Sequence, residues 1–287
     1  MTKIIERVRL YWQMTKSLQT ALLLTTGLAG YYSAHGGLHG AAGQVLGLAL
    51  SLYLAIAGST VLNMWYDRDI DARMYRTCWR PLPAGRVSPR EALLLGLALT
   101  IGGVGWAFLL SPLYGLVVFL GWFLDVVVYT IWLKRRTPWS IVWGGLSGGM
   151  PVLAGRVLAV GQIDLIGILL ALAVLFWIPT HIVTFALRYD EDYRRAEVPT
   201  VPIVYGARFA YGTIALAAVL AAGTIIAAAW LIGLTAGALE MLVVLSVALA
   251  WLAFTTVTRP SPKRNFLLFK FASLYMLFTM ALIAWGA

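Results

Sequence analysis

The chain has 287 residues, of which 61% are hydrophobic and 12% charged, and its mean hydropathy is +0.83. That balance excludes a water-soluble globule and disorder, and continuous rather than alternating apolar runs exclude a transmembrane barrel. A single cysteine excludes an internal disulfide or a thiolate zinc cluster, and the net charge of +10 lies in short loops between apolar runs, which implies a lipid bilayer as partner and no nucleic acid.

Crossing a bilayer core takes roughly 20 apolar residues per helix, because unpaired backbone groups are prohibitive in lipid. Nine such spans are predicted in chain order, at 18–34, 42–62, 92–111, 113–133, 139–158, 163–187, 207–232, 237–258 and 266–285. With the N-terminus in the cytoplasm, 20 of the 22 Lys and Arg residues fall on the inner side, leaving Arg156 outside and Lys270 near the start of the last span. The expectation is an all-α integral membrane protein of the cell membrane, one multi-pass domain over 1–287, with its C-terminus outside. Acidic clusters follow span two and span six, on the same side, and each fourth span ends in a basic loop. Two pseudo-repeated four-helix halves plus a ninth helix are therefore expected.

The chemistry gathers at those inner loops. In segment 63–71, NMWYDRDID, the side chains of Asn63, Asp67 and Asp71 recur every four residues and share one helix face. Oxygen ligands of this kind suit Mg²⁺, which commonly bridges carboxylates to substrate phosphates. Arg76, Arg80, Lys134 and Arg135 are candidates to bind a diphosphate. Asp190 and Asp192, in the second acidic run, are candidate ligands for a second metal. The competing interpretation is a solvated helix end with opposite charges paired along the surface, and it is preferred for Arg68 and Asp69, which fall off the ligand face.

Segment 63–83, NMWYDRDIDARMYRTCWRPLP, followed by GRVSP, resembles the first Asp-rich motif of the UbiA-type intramembrane prenyltransferases. Three further segments agree: YTIWLKRRTP at 129–138, the glycine-rich 144–151, and WIPTHIVTFALRYDEDYRRAEVPTVPIV at 177–204. Within that family they resemble the branch that transfers farnesyl to heme. The resemblance implies nine helices around a lipid-open central cavity capped by the two Asp-rich loops. It implies that Asn63, Asp67 and Asp71 bind Mg²⁺-diphosphate, that Asp192 is the aspartate of the second motif, and that Arg76 and Lys134 hold the diphosphate. Asp67, Asp71, Lys134 and Asp192 would then be catalytic, farnesyl diphosphate the donor and heme B the acceptor. His181 matches the histidine after a Pro-Pro pair, with Thr180 here in place of the second proline. Glu197 stands where the family usually carries glycine.

Ionisation of an allylic diphosphate needs charge stabilisation at the leaving group and no protein nucleophile. Tyr66, Tyr129 and Tyr189 are candidates to face the resulting positive charge with their rings. Asp125, in mid-span, either faces the cavity or bonds to a neighbouring helix. His181 either approaches heme or bonds between helices. His35 and His39, in a glycine-rich outer loop, are expected to be solvated, and Cys78 to be incidental. The alternatives are a quinone-precursor or glycerol-phosphate lipid acceptor and, in a different class, a secondary transporter.

Overall fold

The computed structural model describes residues 2–35 and 41–286, with side chains from residue 5 onward. The described residues form helices and no strands. In order they are α1 (Thr2–Met14), α2 (Ser17–Tyr32), α3 (Ala42–Tyr66), α4 (Arg68–Arg73), α5 (Pro89–Leu110) and α6 (Pro112–Trp122), which continues as a π-helix over Phe123–Leu133. There follow α7 (Ser140–Val160), α8 (Leu165–Arg188), α9 (Asp190–Arg195), α10 (Val201–Ile232), α11 (Ala236–Thr258) and α12 (Pro262–Gly286).

Each expected span is occupied by a helix, and eight are long and apolar enough to cross a membrane. The first is shorter than expected: α2 stops at Tyr32 after 16 residues, about 24 Å of helix at 1.5 Å per residue. The expected start at 207 coincides with a break inside α10, where Gly206 adopts φ 82° and ψ 165°, a conformation essentially reserved for glycine. Helix ends follow local rules. Ser88 caps α5 by accepting from the Glu91 amide, with Pro89 in the first turn, and Asp164 caps α8 by accepting from Gly167.

One contiguous apolar core runs through the bundle from Ala29 on α2 to Ile283 on α12. Its largest buried polar side chains are partnered: Tyr114 with Ser51 at 2.7 Å, Tyr275 with Ser246 at 2.8 Å, and Tyr31 with Gln44 at 2.9 Å, as burial of a hydroxyl requires. Helices α2 and α7 approach backbone to backbone. A Cβ on Gly155 would lie 1.8 Å from the Gly27 carbonyl oxygen, and one on Gly30 would lie 2.0 Å from that of Val152, the small-residue contact by which helices pack where water supplies no hydrophobic drive.

The two ends of the bundle differ. At one, the buried Arg156 guanidinium donates to both Asp164 oxygens and to the Ser33 backbone and side chain, tying α2, α7 and α8 together. There His35 is half-buried rather than solvated: its ring stacks on Tyr31 at 4.6 Å and its Nδ1 lies 3.1 Å from the Tyr31 carbonyl. His39 lies outside the described residues. At the opposite end sit Lys16, α4, the close of the π-helix and α9, where the acidic and basic motifs meet.

Candidate active site

The four-residue spacing survives the junction between α3 and α4. The Asp67 amide donates to the Asn63 carbonyl at 2.9 Å, and the Asp71 amide to that of Asp67 at 2.8 Å. The three side chains therefore stay in register although α3 ends at Tyr66. Asp67 and Asp71 are both buried. Lys134 pairs with Asp67, and Arg80 pairs with Asp71 at 2.6 Å. Burial opposes the Lys134 charge, yet Asp67, Tyr129 and Asp71 beside it hold its pKa above the ordinary lysine value.

Lys134 reaches this cluster because the preceding segment is a π-helix, with its amide donating five residues back to Tyr129 at 2.8 Å. The wider turn keeps Asp125, Tyr129 and Lys134 along the cavity wall. Asn63 faces the same wall. Its Nδ2 donates to Asp125 Oδ2 and its Oδ1 accepts from Thr130, each at 2.9 Å.

Below this polar head lies a cavity of about 630 Å³, within the range for small-molecule sites. Asn63, Asp67, Asp71, Arg76, Arg80, Asp125, Tyr129, Lys134 and His181 all line it. Leu18 and Leu22 on α2, and Leu277 on α12, continue its wall as large, exposed apolar side chains.

Arg76 carries no ion pair among the described residues. Its guanidinium rests over Phe185 at 4.8 Å and Tyr189 at 5.5 Å, and its buried Nε has no hydrogen-bond partner. Lys16 is a functional candidate that sequence reading used only for topology. It adopts φ 46° between α1 and α2 and lines the cavity. Burial and the nearby Arg80 and Lys134 charges lower its pKa to about 8. The available sequence signal was a basic residue immediately ahead of a span.

Other candidates lie elsewhere. Arg135 donates twice to Asp69, each at 2.7 Å, and its guanidinium covers the Tyr66 ring. This bond lowers the Asp69 pKa and raises that of Arg135, so Asp69 is partnered rather than simply solvated. Arg68 packs over Trp65. Asp190 and Glu191 pair along α9 with Arg194 and Arg195. Asp192 is buried and accepts from the backbone amides of Tyr75 at 2.9 Å and Arg76 at 3.3 Å, joining the second acidic loop to the first. Of the three tyrosines, Tyr129 lines the cavity, whereas Tyr66 and Tyr189 lie beneath Arg135 and Arg76.

His181 bonds between helices and also faces the cavity. It lines the cavity, stacks between Trp177 at 4.9 Å and Phe269 at 4.5 Å, and places Nδ1 3.3 Å from the Ser273 hydroxyl on α12.

The donor chemistry fits a magnesium ion shared with a diphosphate. Buried Asp67 Oδ1 accepts no hydrogen bond among the described residues, and Arg135, which is bound to Asp69, lies 3.6 Å from it, so this oxygen is available to a metal. Among the described residues no three His, Cys, Asp or Glu side chains form a closed metal cage. A magnesium ion held here would take further ligands from substrate phosphates, its common habit.

Residues 23–278 match the UbiA prenyltransferase family. The chain is 48% identical over 202 residues to Protoheme IX farnesyltransferase of Archaeoglobus fulgidus, covering 70% of each chain. Its fold matches a solved structure of digeranylgeranylglyceryl phosphate synthase with TM-score 0.82 and 18% identity, covering 98% of both chains. A UbiA homologue from Archaeoglobus fulgidus, solved with GPP and Mg²⁺, matches with TM-score 0.70 and 16% identity, covering 96% of this chain and 99% of the other.

Proposed function

The chain belongs to the UbiA prenyltransferase family, and from that premise we propose that it transfers farnesyl from farnesyl diphosphate to a vinyl group of heme B, giving heme O. The observation that carries the reading is the set of paired carboxylates and cations at the head of an apolar cavity. The acceptor assignment is supported by the 48% identity to a relative named for protoheme IX.

Asp67 and Asp71, with the Asn63 carboxamide, are the residues to hold magnesium. The chemistry supplied by the bound ion is charge neutralisation at the diphosphate oxygens. Arg76 and Lys16, which form no ion pair among the described residues, meet the diphosphate as charges, and Lys134 and Arg80 exchange their carboxylate partners for phosphate oxygens. Arg135 steadies the loop through Asp69. Asp192 acts through the Tyr75 and Arg76 amides it binds, and Asp190 joins a second metal site only on leaving Arg194.

With the diphosphate so held, the allylic carbon–oxygen bond breaks and its electron pair leaves on the diphosphate. The vinyl π electrons form the new carbon–carbon bond, and water adds to the resulting cation with loss of a proton. Trp122, Tyr129, Trp177 and Phe185 line the cavity and offer ring faces to positive charge. The apolar walls hold the isoprenoid and keep bulk water from the allylic cation. His181, between Trp177 and Phe269, contacts the macrocycle.

The topology that serves this reading is one domain over 1–287, crossing the membrane nine times with α2 as the additional crossing. The acidic loops and N-terminus lie in the cytoplasm and the C-terminus outside. Purified protein given labelled farnesyl diphosphate, magnesium and one acceptor at a time tests the assignment. Label on heme B alone is expected. Label on a quinone precursor or glycerol-phosphate lipid instead would move the acceptor, and flux across proteoliposomes without a covalent product would indicate a transporter.

A further inference from the structure

We propose that Asp125 is a positioning residue that sets the orientation of the Asn63 carboxamide, and that it acts on magnesium-diphosphate binding only through Asn63. The inference rests on the metal-diphosphate reading above.

An asparagine side chain is ambiguous by itself, since rotation by half a turn exchanges a donor for an acceptor. At Asn63 both positions are assigned by neighbours on the π-helix. Asp125 Oδ2 accepts from the Asn63 amide nitrogen at 2.9 Å, which sets that nitrogen on its side. Thr130 donates its hydroxyl to Oδ1 at 2.9 Å from the other side. Asp125 and Thr130 are five residues apart, the hydrogen-bonding interval of a π-helix, which brings them to bear on one side chain.

Asp125 is itself restrained. Ser59, one turn before Asn63 on α3, also donates to Oδ2. Asp125 Oδ1 accepts no hydrogen bond among the described residues, and the side chain lines the cavity. A carboxylate in a membrane-spanning helix is expensive and calls for a role. Here it bridges the π-helix to α3 at the level of the first Asp-rich motif and leaves the Asn63 oxygen, rather than its nitrogen, beside Thr130. That oxygen retains a second lone pair for a metal or a metal-bound water. Groups that hydrogen-bond a metal's ligands and fix their orientation in this way cost roughly 10–100-fold in metal affinity when lost.

The test is calorimetric binding of farnesyl thiodiphosphate to detergent-solubilised full-length protein, with and without Mg²⁺. Asp125→Leu is expected to weaken the magnesium-dependent binding about 10-fold or more. Asp125→Asn retains an acceptor oxygen for Asn63 and is expected to stay near wild type. On an Asn63→Ala background, itself weakened, Asp125→Leu is expected to add nothing, the signature of two residues acting as one unit.

Wild-type binding by Asp125→Leu would overturn the proposal. So would equal damage from Asp125→Asn and Asp125→Leu, which would mean that charge or direct ligation is what matters, or additive losses in the double variant. If Asn63→Ala binds like wild type, the metal-diphosphate reading at Asn63 fails first, and is distinguished from failure of the Asp125 linkage alone. Thermal midpoints of all variants, measured without ligand, separate a folding defect from a binding one. An unfolded Asp125→Leu leaves the decision to Asp125→Asn, whose binding must then remain near wild type.

Discussion

Glu197 holds a left-handed backbone, φ 56°, with an exposed side chain 3.7 Å from Arg73. A side chain there costs about 1–2 kcal/mol relative to right-handed backbone, and so exposed an ion pair offsets little. Glu197→Gly is expected to raise the thermal midpoint in detergent, with a gain of up to about 1 kcal/mol after glycine's extra chain entropy. Glu197→Ala, which keeps the strain, is expected to give no gain. The resemblance implies glycine at 197, and the positive φ there is one that glycine adopts without strain. Lys16 is the other non-glycine residue at positive φ among those described. With its pKa lowered to about 8, it is charged below that pH and neutral above it. Binding of farnesyl thiodiphosphate should therefore weaken as pH rises through about 8 in the wild type. In Lys16→Arg, which stays charged, that inflection should be absent; an unchanged inflection would remove Lys16 from the site.

At the scale of elements, positions came through the sequence better than pairings. Hydropathy located the long apolar helices to within a few residues but not the short α1, α4 and α9, because the lipid requirement for long apolar stretches is strict and applies only to the spans. It could not reveal the π-helix over 123–133, since a widened turn keeps the same apolar composition. That widening decides where Asp125 and Lys134 meet Asn63 and Asp67. The spacing of Asn63, Asp67 and Asp71 was legible because local helical register carries it. The attachment of Arg135 to Asp69, and of Asp192 to the Tyr75 and Arg76 amides, depends on contacts 66 and more than 115 residues apart in sequence and left no local pattern.

Two element contacts make measurable claims. Gly155→Ala sets a Cβ against the Gly27 carbonyl and is expected to cost about 2 kcal/mol through forced separation of α2 and α7, read as a lowered thermal midpoint. Arg156→Leu leaves Asp164 without its partner and should cost about 3 kcal/mol. Burial alone would raise the Asp164 pKa, but the bonds from Arg156 and Gly167 outweigh it and hold the pKa below the ordinary value. Its contribution is therefore present above about pH 4 and lost as pH falls through the lower folded value. The stability difference between Arg156→Leu and wild type should narrow in acid.

For the whole molecule, the opposite ends divide the work. The Arg156–Asp164 end fastens α2, α7 and α8 by a buried ionic clamp, while the other end concentrates charges whose present partners are one another. Between them the apolar cavity joins both halves of the chain, drawing its wall from helices as distant in sequence as α2 and α12. Composition and charge already pointed to a bundle of this kind, and the motif segments pointed to its family. The shape of the cavity was not legible, because it depends on how the Gly27–Gly155 contact and the break at Gly206 set the helices.

The central claim is a covalent one, that these residues make a prenylated heme. It is tested most directly by mass spectrometry of heme from a host lacking its own heme O synthase and expressing this chain, beside an Asp67→Ala control. The account predicts a hydroxyethylfarnesyl heme in the first and its absence in the control, with both proteins inserted in the membrane. Unmodified heme B in the presence of inserted wild-type protein, or product persisting with Asp67→Ala, would contradict it.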